Sequence, residues 1–487
     1  MKSGNYKITN QKILSLRDLI FFFLVLPFLF SLSFFMLNKY NLISTISLYI
    51  LSAILFIYIY KDVKDIYSSW LFLGLISTFF DKRLLVLNIS YLPFFRFVLI
   101  SFIVFFSIKL FLRYIKFKNF DINILKFQNY PVSNVLLLFS FIVYAMLSAI
   151  WSGKLATQNI EYMAKLIEGF IIIILVLLYF DFDNLFPILK KYISFIFLII
   201  CIIVLIEVTF GIHLKEINPN HIRPKLTDLP AALYYNTLNL ATIIAILLPF
   251  FFVYWQRNIS QTSATFLFIL LSLTMIVLST SRTAITVTFI NLFLLIYFNN
   301  KRKKILILFL LLITAAYFII TIFYPSTVNT IIDKFQFKDG STSLRTTLYK
   351  TALKLFPSNI FGLGPGSAEL FYQNSININI NAHSTWLEIF INFGIVGFIL
   401  FNLFHFSVIY KLYGILKFYK KNHPASTNDK IYHSQVMASI VILFTLPLLT
   451  FAGSSIIRSL SILWLLYGYI LILIKHNYKY NNSMFIH

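Results

Sequence analysis

The residues best suited to chemistry in this sequence are a set of arginines and one histidine. His383 opens the run AHSTWLEIFINFGIVGFIL, where helical spacing puts Trp386, Leu387, Phe390, Gly394 and Gly397 on its face. The imidazole is therefore expected to point from a helix mouth toward the protein interior. A neutral imidazole there can take the proton of a hydroxyl as a general base; the position equally suits a residue that only anchors a helix start at a membrane interface. Glu388 lies about 140° further round the helix and is poorly placed to orient that ring. Arg282 in STSRTA, Arg345 in SLRTTLYK and Arg223 in NPNHIRPKLTD carry planar, permanently charged guanidinium groups. Such groups make forked contacts with phosphate oxygens, and each of these three could instead snorkel at a helix end. Arg223 is the weakest of them, floating in a polar string. Tyr349 accompanies Arg345 on one helix face and joins Arg223 and Arg458 as a candidate substrate contact. Arg458 and Arg96 also fit plain topological or packing roles.

Other chemistries find no support in the sequence. It holds no P-loop, no His/Cys cluster with metal-ligand spacing, no GxSxG and no clear Asp-x-Asp motif on an expected outer loop, so no metal and no cofactor is expected. Its single cysteine, Cys201, sits in an apolar run and excludes a disulfide framework. The Gly-rich stretch FGLGPG, 361–366, contains Pro365, which lacks an N–H, so a tight turn is expected there rather than a phosphate cradle. Trp151 in SAIWSG suits an aromatic belt at a membrane interface.

These residues must be held by membrane helices. Hydrophobic residues make up 59% of the 487 positions and charged ones 12%, with a mean hydropathy of +0.83. A span takes about 20 apolar residues, so the chain is expected to be all-α and polytopic, with about 12–14 transmembrane helices forming one integral membrane domain over 1–487. Apolar runs fall near 19–37, 41–60, 66–80, 92–112, 132–150, 163–180, 188–210, 236–255, 263–280, 282–298, 304–324, 386–410, 433–451 and 456–474. The first is long for a signal-peptide core and reads as a retained helix. With both termini cytoplasmic, about 25 of the 41 Lys and Arg fall on inner connections such as KRKK at 301–304, as the positive-inside rule expects. The net charge of +24 is therefore largely topological, and nucleic acid is not an expected partner.

Two polar segments are then external: 211–235, and a large loop at 325–383. Within the larger, an amphipathic helix is expected near 343–356, stopped by Pro357. Leu344, Leu348, Ala352, Leu355 and Phe356 form its apolar stripe; Lys350 and Lys354 point away, and Arg345 sits at the edge beside Tyr349.

From about 130 to 460 the chain resembles the superfamily of bacterial O-antigen ligases and O-antigen or capsular polysaccharide polymerases. The motifs are SAIWS, YNTLNLA, STSRTA, LRTTLYKTALKLFPSNIFGLGPG and AHSTWLEIFINFGIVGF, in that order. The family commonly has Asn after the loop histidine, where this chain has Ser384. The resemblance implies a metal-independent glycosyltransferase at the outer face of the bacterial cytoplasmic membrane. Its donor would be a glycan on undecaprenyl pyrophosphate, its acceptor another glycan, its surroundings the lipid bilayer, and a chain-length regulator a partner. By motif, His383 would be the base, with Arg282 and Arg345 holding the pyrophosphate. A polymerase joining lipid-linked repeat units is the first expectation, and a ligase to a lipid core or other acceptor the second. A lipid-linked oligosaccharide flippase, from another class, would show two related halves and a charged cavity. The sequence has no internal repeat, and its main intramembrane charges are Glu168 and Glu207.

Overall fold

The computed structural model describes residues 131–152, 157–210, 237–253, 259–298, 341–355, 358–377, 384–422, 427–451 and 462–484, with others within 56–77, 96–104 and 311–322. All secondary structure among them is helical, and the protein is an all-α, multi-pass membrane protein. The helices are α1 (Ile66–Ser77), α2 (Val132–Ser148), α3 (Thr157–Tyr179), α4 (Phe182–Phe210), α5 (Thr237–Val253), α6 (Ile259–Leu278), α7 (Arg282–Phe298), α8 (Ser341–Leu353), α9 (Ala368–Ile376), α10 (Thr385–Asn422), α11 (Thr427–Phe451) and α12 (Ile462–Met484). The first expected span, 19–37, and the loop 211–235 lie outside the described residues. Of the last expected span, 456–474, residues 456–461 lie outside the described residues, and the rest falls in α12.

The chain divides into two compact units, 1–120 and 121–487. In the first, α1 is tied internally by the Trp70 indole, which donates to Ser101 Oγ at 2.9 Å. The second carries all the candidate site residues.

In this second unit α10 is the organising element, packing on α2, α11 and α12. Its register with α2 is antiparallel. Lys411 Nζ donates to Ser133 Oγ (2.6 Å) and Asn134 Nδ2 to Ser407 Oγ (2.7 Å), while the Phe141 ring meets Phe401 and then Phe393. Helix α12 pairs with α3, where Gly169 lets the two approach until the Trp464 ring fills the place a Cβ would take. Further along this pair, Lys475 Nζ donates to the Leu177 carbonyl (2.9 Å) and lies 3.1 Å from Asp181. A separate group of α5, α7 and α11 is joined by buried polar contacts, in which Thr445 Oγ1 donates to Asn291 Oδ1 (2.6 Å) and Asn291 Nδ2 to the Ala245 carbonyl (3.2 Å). Between apolar helix faces such hydrogen bonds give specificity that lipid-like packing alone does not.

Gly169→Leu is expected to separate α3 from α12, because overpacking of this kind costs about 1–3 kcal/mol. The midpoint of thermal unfolding in detergent should fall by several degrees; an unchanged midpoint would contradict the close approach.

Candidate active site

Helix α10 is not continuous. Gly394 takes φ 63° and ψ −163°, a conformation that favours glycine, and breaks it into a short arm, 385–393, and a long arm, 395–422. The arms fold back on one another. The Trp386 indole N–H donates to Asn402 Oδ1 at 3.0 Å, and its ring sits 5.6 Å from that of Phe401 and 5.4 Å from that of His405. In a straight helix Trp386 and Asn402 would be about 24 Å apart. The sequence reading, which put Gly394 and Gly397 on one face of a continuous helix, is corrected here: Gly394 is the point at which the helix reverses.

Breaking a helix inside a buried region strands backbone groups, and each must find a new partner. The carbonyls of Phe390, Ile391 and Asn392 lose the N–H groups four residues on, and the segment 359–364 replaces them. Asn359 Nδ2 donates to the carbonyls of Phe390 (2.9 Å) and Ile391 (3.2 Å), Leu363 N–H to Ile391 (3.0 Å) and Gly364 N–H to Asn392 (2.8 Å). In the other direction, the N–H groups of Ile395 and Val396 donate to the carbonyls of Asn359 (3.2 Å) and Ile360 (3.3 Å). FGLGPG is thus the turn expected of it, and its backbone donors at 363 and 364 are committed to the helix break. Gly362 and Gly364, both at positive φ, lie where a Cβ would strike the Asn392 carbonyl and Ser152 respectively. SAIWS packs on the same turn: Trp151 meets Phe361 edge-on at 6.3 Å, and the Tyr144 hydroxyl donates to the Phe361 carbonyl at 2.9 Å.

The amphipathic helix lies where the sequence puts it, as α8, Ser341–Leu353. Leu348 and Ala352 are buried against Ala368 and Tyr372 of α9 and against Phe390 and Ile391 of the short arm, with Leu344 and Leu355 packed at the edge. Phe356 lies outside the described residues. The Tyr372 hydroxyl donates to the Leu348 carbonyl at 3.2 Å, and the Asn392 side chain accepts from Ala368 N–H at 2.9 Å, capping α9. Arg345 and Tyr349 are half-buried, while Lys350 and Lys354 are exposed.

Polar groups gather at this contact. Burial raises the Tyr372 phenol above its ordinary value, with Tyr349 and the buried Glu388 carboxylate adding to the effect. Tyr349 is also raised by burial, and the neighbouring Arg345 charge opposes that shift. The structure therefore brings Arg345, Tyr349, Tyr372 and Glu388 into one neighbourhood between the loop helices and the short arm. Glu388 lies close enough to Tyr372 for its charge to act on the phenol.

Arg282 starts α7, after a turn in which Ser279, Thr280 and Ser281 are buried and Thr280 has φ 52°. Ser281 Oγ accepts from Ala284 N–H at 3.3 Å as an N-cap. A left-handed β-branched residue is strained, and a cation at a helix N-terminus opposes the macrodipole, so neither feature serves helix stability. His383, Arg223 and Arg458 lie outside the described residues.

Residues 266–402 match the family model described as O-antigen ligase. That segment therefore resembles O-antigen ligases, and the likeness supports the ligase and polymerase superfamily and a glycosyltransferase-like activity in polysaccharide biosynthesis. No curated relative matches the chain. The matched segment runs from within α6 to Asn402, so it holds the Arg282 turn, α8, α9, the 359–364 segment and the hairpin of α10. Sequence reasoning missed Asn359, Asn392, Asn402 and Tyr372. Asparagines beside glycines in an apolar run are the signal that could have found the first two, since buried amides mark broken backbone.

Asn359→Ala leaves two buried carbonyls short of a donor, at about 1–3 kcal/mol. Gly394→Ala forces a Cβ against the Ile360 carbonyl at a positive φ. Both are expected to lower the unfolding midpoint in detergent, Gly394→Ala the more; wild-type midpoints in both would mean the break is not held this way.

Proposed function

We propose that this protein is a polysaccharide polymerase that moves a glycan from undecaprenyl pyrophosphate to a sugar hydroxyl on a lipid-linked repeat unit, at the outer face of the cytoplasmic membrane. The observation that carries the reading is the docking of α8, with Arg345 and Tyr349, onto the buried short arm whose chain continues back through Ser384 to His383. The arginine for an anion thus sits on a helix packed against the arm that follows, in sequence, the histidine for a hydroxyl.

The chemistry follows from these groups. His383 accepts the acceptor hydroxyl's proton as the oxygen attacks the anomeric carbon. The bond from that carbon to the pyrophosphate oxygen breaks, and its electron pair leaves with the lipid pyrophosphate. Arg345 and Arg282 offset the developing charge, a kind of stabilisation that costs about 10²–10³-fold in rate when one donor is removed. Arg223, Tyr349 and Arg458 contact the substrate. A ligase would run the same step with a different acceptor.

Purified protein in liposomes with lipid-linked repeat units as the only glycan is expected to lengthen them, in the presence of a chelator and without nucleotide sugar. Units that only cross the bilayer would replace this reading with a flippase, and transfer solely to an added lipid core with a ligase. Arg345→Ala and Arg282→Ala are expected to lose about 10²-fold or more in kcat at normal expression, and His383→Ala about 10²–10⁴-fold. Wild-type turnover in all three would displace the site. A reporter inserted after the exposed Asn374 is expected to read as external; a cytoplasmic signal would reverse the orientation.

A further inference from the structure

The short arm of α10 ends in the interior of the bundle. Ser384 and Thr385 are fully buried, and Ser384 begins the arm by accepting from Glu388 N–H through its carbonyl (2.9 Å) and from Leu387 N–H through Oγ (3.4 Å). Nearest this end, the contact with the long arm is made by Trp386, with the Phe390 ring meeting that of Phe398 further along. The Trp386 indole donates to Asn402 Oδ1, and Asn402 is itself fixed by donating from Nδ2 to the Phe398 carbonyl at 2.7 Å. The face of the Trp386 ring is met at right angles by the imidazole of His405, which is fully buried and held by a 2.7 Å hydrogen bond between Nδ1 and the Tyr467 hydroxyl. Tyr467 belongs to α12 and is also fully buried. The chain of contacts therefore runs from α12 through His405 to Trp386, in the first turn of the short arm and two residues after Ser384.

We infer that His405, Tyr467 and Asn402 are positioning residues for the transfer reaction, acting through Trp386 to fix the buried end of the short arm and so the point from which His383 extends. The inference rests on the proposed function, since it assigns no contact with substrate to any of them. Buried ionisable and hydrogen-bonding side chains inside a membrane bundle are expensive and need a reason beyond packing. Here they converge on the one helix end next to the candidate base. Displacing a general base by a fraction of an ångström weakens the chemical step more than substrate binding, so the expected signature is a fall in kcat with little change in KM.

Trp386→Phe keeps the ring and removes the donor; Asn402→Leu removes the acceptor; Tyr467→Phe releases His405. Each is expected to lower kcat for lipid-linked repeat units tenfold or more, with KM within about twofold. The Trp386→Phe/Asn402→Leu double variant should be no slower than the worse single, and Asn402→Gln should recover part of the loss. Unchanged kcat in Trp386→Phe and Asn402→Leu, or a matching rise in KM, overturns the inference while active wild type leaves the proposed function standing. Wild-type protein that elongates nothing sinks the proposed function instead. The geometry has a readout that needs no activity. In a Cys201→Ser background, the Trp386→Cys/Asn402→Cys pair is expected to be bridged within one chain by a short bifunctional thiol reagent, detected by mass spectrometry. Failure to bridge, as for residues about 24 Å apart on a straight helix, overturns the fold-back on which the positioning depends.

Discussion

A membrane helix can reverse direction in a buried setting only if every backbone group it gives up finds another partner, and the hairpin of α10 depends on this. At Gly394 the protein solves the problem with a second piece of its own chain. Residues 359–364 accept from the N–H groups of the long arm and donate to the carbonyls of the short one. The glycines at 362 and 364 let the two backbones approach. Without such replacement, several unsatisfied groups at a cost of several kcal/mol each would restore a straight helix, and Trp386 would lie far from Asn402.

Three consequences follow from this backbone exchange. The segment 359–364 directly follows α8, so pinning it to the break also pins the loop helix that carries Arg345. The short arm is held with its start buried, next to a side-chain cluster contributed by α10 and α12. The two together make the interface of Leu348, Ala352, Tyr372 and Phe390, across which Arg345, Tyr349, Tyr372 and Glu388 approach. Site and fold are therefore not separable here: the polar residues meet because the backbone was broken and repaired.

Much of the architecture was legible from apolar runs and charge. The helices α2 to α7, α11 and the loop helix α8 fall close to where hydropathy and the stripe at Leu344, Leu348 and Ala352 put them, because lipid burial and a 3.6-residue period leave strong marks. The reversal at Gly394 was not legible. A glycine in an apolar run reads the same whether it permits close helix packing or a left-handed kink, and only the distant Asn359 decides between them. His405 illustrates the same limit. Its neighbours Phe404 and Phe406 gave it an unremarkable place in a span, and its meaning comes from Tyr467 sixty-two residues later and from Trp386 across the fold.

Ser152 lies outside the segment 266–402 yet occupies the space beside Gly364, and Tyr144 and Trp151 of the same region bind Phe361. The matched segment is thus contiguous in sequence without being autonomous in space. Excised at residue 266, it would leave its central turn facing a void, and transplanted into another scaffold it would require a helix end bearing the same serine and aromatics. The turn and the end of α2 are accordingly one packing unit: a larger side chain at Gly364 would need room made at Ser152, so the stretch around 144–152 is a structural half of the matched segment that lies upstream of its boundary.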